Sequence, residues 1–193
     1  MKKSILFTAA LMVGTMAQAQ YHEAKLDIGG AGIGSFGALY EYGINDDMGI
    51  NTRIAYFSAD NNIVYNTLTF TADFRYYFDA YEGGDGWFGT AYLKYRSLLA
   101  SEYWPTYDPT NGNLVLEDYT SGGIALGVTT GRKWILNDHW VLESYAGIGR
   151  YLVNFGGERP DNFDDSWGVI GFNEGGLELP TDIRLGFIVG YRF

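Results

Sequence analysis

Charged side chains alternate with apolar ones in several segments of this 193-residue chain. Asp73 and Arg75 fall in FTADFRYYF, and Lys94 and Arg96 fall in AYLKYRS. Successive side chains of a β-strand point to opposite faces, so this spacing places the charges on one face and the apolar residues on the other. Charges enclosed on one face must pair, because an isolated ion in a low-dielectric interior is costly. The predicted ion-pair network comprises Glu41, Arg53, Asp73, Arg75, Lys94, Arg96, Glu143 and Arg184.

Catalytic chemistry has weaker support in the sequence. The chain has two histidines, His22 and His139. Glu143 and Ser144 are close to His139 in sequence, but neighbours on a strand point to opposite faces. No segment has the ligand spacing of a zinc site, a phosphate-binding loop or a nucleophile elbow. We therefore predict no catalytic residue, no cofactor and no metal.

The composition argues against nucleic acid as a partner and favours an exported β-protein. Without Lys2 and Lys3, the chain carries 11 basic and 23 acidic residues, a net charge of −12. Binding to phosphate backbones needs a basic surface instead. The chain has 27 glycines, 16 tyrosines and no cysteine, so no disulfide framework can form.

The N-terminal segment MKKSILFTAALMVGTMAQAQ has the pattern of a secretory signal peptide. Lys2 and Lys3 precede a short apolar run, and Ala17-Gln18-Ala19 is a small-residue cleavage site. The predicted organisation is a signal peptide over residues 1–19 and one domain over residues 20–193. No later apolar run approaches the ~20 residues of a membrane helix, so a membrane-spanning form would have to be a closed β-barrel.

Eight segments of the chain have the alternation of strands. The predicted strands are Ala24–Ala31, Ser35–Tyr42, Met48–Ser58, Ile63–Phe78, Trp87–Leu99, Tyr119–Trp134, His139–Val153 and residues 181–193. Residues 25–42 could instead form one long kinked strand, which would give an odd count.

The connections differ between the two ends of the predicted sheet: the INDD, EGGDG and ILND turns lie at one end, and the two longest loops lie at the other. All four prolines, Pro105, Pro109, Pro160 and Pro180, fall in or beside the two longest predicted loops. Proline cannot donate to a β-ladder, so its absence from the predicted strands is consistent with a sheet. Short turns at one end and long loops at the other are typical of outer-membrane barrels. Periodicity alone does not decide whether lipid or water meets the apolar face.

The positions of the aromatic residues indicate that lipid, not water, meets the apolar face. Trp87, Trp134 and Trp140 lie beside short turns, as an interfacial aromatic girdle requires. The last segment, TDIRLGFIVGYRF, resembles the final strand of bacterial outer-membrane barrels, which ends in an aromatic residue and is read by the barrel-assembly machinery. The resemblance implies that Phe187, Val189, Tyr191 and Phe193 form such an assembly signal.

The whole domain resembles the small barrel group that includes the OmpA membrane domain, OmpX and OmpW. The segment Leu39–Phe57 is similar to the "YER-turn-D" hairpin of an uncharacterised family in this group, with Gly43 in place of the arginine. The resemblance implies an all-β, eight-stranded, antiparallel, up-and-down transmembrane β-barrel. It further implies a location in the outer membrane of a Gram-negative cell.

The expected role is non-enzymatic: membrane integrity, surface interaction or service as an accessory subunit. We expect a monomer in contact with outer-membrane lipid and lipopolysaccharide, with its paired charges acting as a structural plug. A narrow OmpW-like conduit, a lipid-modifying enzyme and a secreted soluble ligand-binding barrel are the alternatives. A protein partner could bind the acidic outer loop, which carries Glu158, Asp161, Asp164, Asp165, Glu174 and Glu178.

Overall fold

The computed structural model describes residues 21–29, 31, 34–60, 64–78, 80, 83–107, 114–156 and 181–193. Its strands are β1 (Tyr21–Asp27), β2 (Ser35–Gly43), β3 (Met48–Asp60), β4 (Val64–Tyr77), β5 (Gly86–Tyr107), β6 (Leu114–Leu136), β7 (Trp140–Gly156) and β8 (Thr181–Arg192). Each strand pairs antiparallel with the next, and β8 closes the barrel on β1. The predicted eight-stranded antiparallel barrel is therefore confirmed. In the described part of the chain, no helix has the length and apolar character to cross a membrane.

The alternative of one kinked strand over residues 25–42 is wrong. β1 and β2 are separate strands whose register runs from Tyr21 opposite Gly43 to Asp27 opposite Gly37. Gly34, in the connection between them, has a φ of 82°. A Cβ at this position would also collide with the carbonyl oxygen of Ser58, so the turn requires glycine. β1 begins three residues before the predicted start at Ala24.

The hairpin of β5 and β6 is longer than predicted. The ladder resumes after an irregularity between Ala100 and Trp104 and continues to Tyr107 opposite Leu114. Pro105 lies opposite Leu116 in this extension, so its prediction as a loop residue is wrong. Proline is tolerated beside such irregularities because the ladder is already interrupted there. Pro109, Pro160 and Pro180 lie outside the described residues.

One end of the barrel carries the short connections, and we call it the short-turn end. It comprises the turn from β2 to β3, the connection from β4 to β5, and the turn from β6 to β7. In the last of these, Asn137 and Asp138 have φ angles of 53° and 63°. These residue types favour the two-residue hairpin turns that need positive φ. Tyr21 and Arg192 lie at the same end, because β1 starts and β8 finishes there.

The barrel is apolar outside and polar inside. In β4, Thr71, Asp73 and Arg75 are buried, whereas Phe70 and Phe74 are nearly half exposed, at 46% and 49%. Among the described residues, 16 buried side chains are polar or charged and 12 are hydrophobic. A water-soluble barrel has the opposite arrangement, with its charges outside.

Candidate functional site: the charged lumen

Alternation along six strands gathers charged side chains inside the short-turn end. We call this group the basal cluster, and it consists of Glu23, Lys25, Glu41, Arg75, Lys133, Glu143 and Arg192. Each residue occupies an inward position of its strand, so barrel closure brings together residues far apart in sequence. Lys25 and Glu143, for example, are separated by 118 positions.

The basal cluster is a continuous ion-pair network. The Nζ atom of Lys25 lies 2.5 Å from Glu41 and 2.7 Å from Glu143. The Nζ atom of Lys133 lies 2.7 Å from Glu41 and 2.9 Å from Glu23. The carboxylates of Glu23, Glu41 and Glu143, with the ammonium groups of Lys25 and Lys133, have no solvent-exposed side-chain surface.

Two arginines close the network at its borders. Arg75 lies 2.9 Å from both Glu41 and Glu143 through its Nη1 atom. Arg192 lies 2.5 Å from Glu23 through its Nη2 atom. Every carboxylate of the basal cluster therefore faces at least two cations, which offsets the cost of burying it.

Tyrosines complete the coordination of Glu41. The hydroxyl groups of Tyr77 and Tyr21 donate to Oε1 of Glu41 at 2.5 and 3.1 Å. The Nζ atom of Lys133 also lies 4.8 Å from the ring centroid of Tyr77 and 5.2 Å from that of Tyr21. The aromatic rings thus fill the space between the charges and donate hydrogen bonds to them.

Three separate ion pairs lie in the lumen farther from the short-turn end than the basal cluster, and we call them the upper pairs. Asp27 lies 2.7 Å from Arg53, and Asp73 lies 3.2 Å from Arg184. Lys94 lies 2.6 Å from Asp182. These are the pairs Asp27–Arg53, Asp73–Arg184 and Lys94–Asp182.

Neutral donors support the upper pairs. The hydroxyl of Tyr145 donates to Asp27 at 3.0 Å, and that of Tyr92 donates to Asp182 at 2.8 Å. Nδ2 of Asn51 donates to Asp73 at 2.9 Å. Each of the three aspartates therefore accepts from a cation and from a neutral group.

Buried apolar side chains lie beside the charged groups where the basal cluster meets the upper pairs. Leu39, Phe88 and Ile188 are buried there, and Phe88 and Ile188 have no exposed surface. One internal cavity at this level, among the described residues, has a volume of about 10 Å³, which is at most the space of one water molecule. The described side chains thus leave little free space at this level of the lumen.

The three buried glutamates have a spacing that could suit a metal ion. Oxygen atoms of Glu23, Glu41 and Glu143 lie within 4.8 Å of one another. The ammonium groups of Lys25 and Lys133 already occupy the space among them. Four cations face three carboxylates in the basal cluster, so a further cation would meet net positive charge.

Seven of the eight residues of the predicted network lie in the basal cluster or in the upper pairs. Glu41, Arg75 and Glu143 lie in the basal cluster. Arg53, Asp73, Lys94 and Arg184 lie in the upper pairs. Arg96 instead stacks over Tyr151, with its Cζ atom 4.6 Å from the ring centroid.

The predicted network of eight residues leaves out six charges of the lumen, although four of them, Asp27, Lys133, Asp182 and Arg192, fall on the charged face of the predicted strands. The six are Glu23, Lys25, Asp27, Lys133, Asp182 and Arg192. Glu23 is absent from the predicted network because the predicted first strand begins after it, at Ala24. The alternation in YHEAKLD, with Glu23, Lys25 and Asp27 at every second position, is the signal that a strand from Tyr21 would have revealed.

The predicted outer features lie on the outer wall at the short-turn end. Trp87 and Trp140 are both 53% exposed, and Trp134 is partly exposed. Phe187, Tyr191 and Phe193 are exposed, whereas Val189 is partly exposed. His139 stacks on Tyr191 with ring centroids 5.2 Å apart, outside the wall that encloses Glu143.

These features define the class of the protein: a closed eight-stranded β-barrel whose charged interior is filled and whose outer face is apolar. The chain belongs to a family described as proteins of unknown function, DUF3575, whose model matches residues 5–158. No curated protein matches it.

Solved structures are similar to the chain, among them the following two. The N-terminal β-barrel domain of Pseudomonas aeruginosa OprF has a TM-score of 0.41 and 14% identity, over 90% of this chain and 96% of that one. Neisserial surface protein A has a TM-score of 0.40 and 13% identity, over 89% of each chain. The finer resemblance to the OmpA, OmpX and OmpW group stays a prediction.

Proposed function

We propose that the protein is a monomeric, non-enzymatic β-barrel of the Gram-negative outer membrane, with a closed lumen. The exterior of the barrel, not its lumen, performs the role: it stabilises the membrane, contacts partners or serves as an accessory subunit. The observation that carries the proposal is the inverted barrel, in which paired charges fill the interior and apolar side chains cover the outside. The short-turn end faces the periplasm in this proposal, as in other outer-membrane barrels.

The apolar outer wall supports the membrane location. Leu93, Leu126 and Val128 lie on neighbouring strands and are 50–59% exposed. Exposing such a wall to water would favour aggregation, whereas lipid is a good solvent for it. A secreted soluble barrel is therefore the weaker alternative. The signal peptide over residues 1–19, which lies outside the described residues, would direct export.

The filled lumen supports a structural rather than a conducting interior. A conduit would have to separate Lys25 and Lys133 from carboxylates that have no exposed surface. Charged groups left unpaired in this way cost several kcal/mol each, roughly. The OmpW-like conduit is therefore the second candidate and needs a conformational change.

The positions of the histidines support a non-enzymatic role. Nδ1 of His22 lies 2.6 Å from the hydroxyl of Tyr40, and Nδ1 of His139 lies 3.2 Å from the carbonyl oxygen of Arg192. Both histidines lie at the short-turn end, and the barrel wall separates His139 from Glu143. The proposed partners are outer-membrane lipid, lipopolysaccharide and, during assembly, the barrel-assembly machinery. A partner for the acidic loop, whose residues 157–180 lie outside the described part, is proposed on charge alone.

Two experiments test this function. Membrane fractionation, followed by gel migration with and without boiling, should recover the protein in the outer membrane as a heat-modifiable band. A mature protein that is folded and monodisperse without detergent would contradict the membrane location. In planar bilayers the protein should give no conductance steps, with a porin as the positive control; reproducible steps would favour the conduit.

A further inference from the structure

An open, shallow groove crosses the outer face of the barrel from β4 to β8. Its volume is about 830 Å³, within the roughly 300–1,000 Å³ of small-molecule sites. Its floor is formed where outward positions carry short side chains, namely Gly89 and Ala91 on β5, Thr130 on β6 and Ala146 on β7. The register places Gly89 opposite Thr130 and Thr130 opposite Ala146, so the floor is continuous across three strands.

Large apolar side chains form the two walls. Tyr76 lies opposite Gly89 on one side, and Leu185 lies opposite Ala146 on the other. Leu185 is 69% exposed, and Phe78 beside Tyr76 is 60% exposed. The lining of the groove is almost entirely apolar, which suits a hydrocarbon chain and not a polar solute.

A cation lies at the end of the groove nearest the short turns. Arg132 is the next outward residue after Thr130 on β6, and it lies opposite Trp87 and Ser144. Its Cζ atom is 5.8 Å from the ring centroid of Trp87 and 5.4 Å from that of Trp134. Within the described ranges, no carboxylate forms an ion pair with Arg132.

We propose that this groove retains one glycerophospholipid of the periplasmic leaflet, with its phosphate on Arg132 and an acyl chain along the floor. We choose this occupant because the negative charge of its phosphate complements the positive charge of Arg132. A guanidinium held between tryptophans at the membrane border binds a phosphate well, since it can donate two parallel hydrogen bonds. The apolar groove beside it binds the attached chain.

A second copy of this chain fits the groove less well. Among strand positions whose side chains the structure describes, the outward faces carry Arg132 and Arg150 but no carboxylate. A copy packed through these faces would therefore leave Arg132 without a counter-ion. A phospholipid supplies the anion and the apolar chain in one molecule.

The proposal rests on the membrane location and is tested by native mass spectrometry of the mature protein released from detergent micelles. The probe is palmitoyl-oleoyl phosphatidylglycerol, and the diacylglycerol with the same chains is the phosphate-free comparison. The variants are Arg132→Gln, which removes the charge, and Ala146→Phe, which fills the floor. Arg150→Gln is the matched control, because Arg150 is the other outward arginine.

The wild-type protein and Arg150→Gln should each retain one phosphatidylglycerol with equal affinity. Arg132→Gln and Ala146→Phe should each weaken binding by at least about ten-fold. The diacylglycerol should bind wild type as weakly as phosphatidylglycerol binds Arg132→Gln. The heat-induced gel shift verifies that every variant is a folded barrel.

Equal binding by wild type and Arg132→Gln would overturn the site, as would an equal loss in Arg150→Gln. A barrel that keeps its heat shift but binds both lipids alike refutes only the lipid site. A barrel that is folded and monodisperse without detergent refutes the membrane location itself.

Discussion

Replacing Glu41 by glutamine perturbs the basal cluster at its most connected residue. The change keeps the shape of the side chain and removes its charge. Glu41 lies within 2.9 Å of Lys25, Lys133 and Arg75, and it accepts hydrogen bonds from Tyr77 and Tyr21. The variant leaves four cations of the cluster with two carboxylates, Glu23 and Glu143.

The expected loss of stability follows from these contacts. Removing one partner of a buried ion pair costs about 3–5 kcal/mol, because the other charge stays buried and unpaired. Here Lys25 keeps Glu143 at 2.7 Å, and Lys133 keeps Glu23 at 2.9 Å. Since the stranded cations retain these partners, we expect the lower end of that range, about 3 kcal/mol.

Urea unfolding of the barrel in lipid vesicles measures this change in the free energy of unfolding. Asp46→Asn is the control, because Asp46 is exposed in the turn between β2 and β3 and should change stability by less than about 0.5 kcal/mol. The double variant Glu41→Gln/Lys133→Met should lose less than the sum of the two single variants. Coupled neighbours differ from additivity by roughly 0.5–3 kcal/mol. A loss below about 1 kcal/mol in Glu41→Gln would mean that water screens these charges, which would refute the closed lumen.

Three further predictions concern the wall, the first turn and assembly. Leu93→Arg should destabilise the barrel in vesicles by about 2–4 kcal/mol, because Leu93 lies opposite Ala72 and Leu126 in the middle of the apolar wall. Leu136→Arg, at the short-turn end, should cost about 0–1 kcal/mol. Equal losses in the two variants would contradict the proposed depths of these residues in the membrane. Gly34→Ala should lower the free energy of unfolding by at least about 1 kcal/mol, because Gly34 has a φ of 82° and a Cβ there would collide with the carbonyl oxygen of Ser58. An unchanged urea midpoint would refute this explanation of the turn. Phe193→Ala should reduce the amount of barrel in the outer membrane of cells. The free energy of unfolding of the purified barrel should stay nearly unchanged, because Phe193 is 66% exposed. Normal levels of the variant in the membrane would argue against the assembly signal.

The sequence by itself determined which residues share a face of each strand and predicted eight strands, while the separation of β1 from β2 was decided by the structure. Alternation is a local property, so Asp73 and Arg75 could be placed on one face and Phe74 on the other without knowledge of any partner. Strand limits were less certain, because turn geometry and irregular ladders are set by contacts across strands. The start of β1 at Tyr21 and the inclusion of Pro105 in β5 are the two examples.

Only the tertiary structure decided which charges meet. Lys94 pairs with Asp182 across 88 positions, and Arg184 pairs with Asp73 across 111. Such pairs depend on the register of every intervening strand and on closure between β1 and β8, neither of which leaves a local signal in the sequence. The charged face was readable from the residues, but its enclosure as a filled lumen follows from closing eight strands into a barrel.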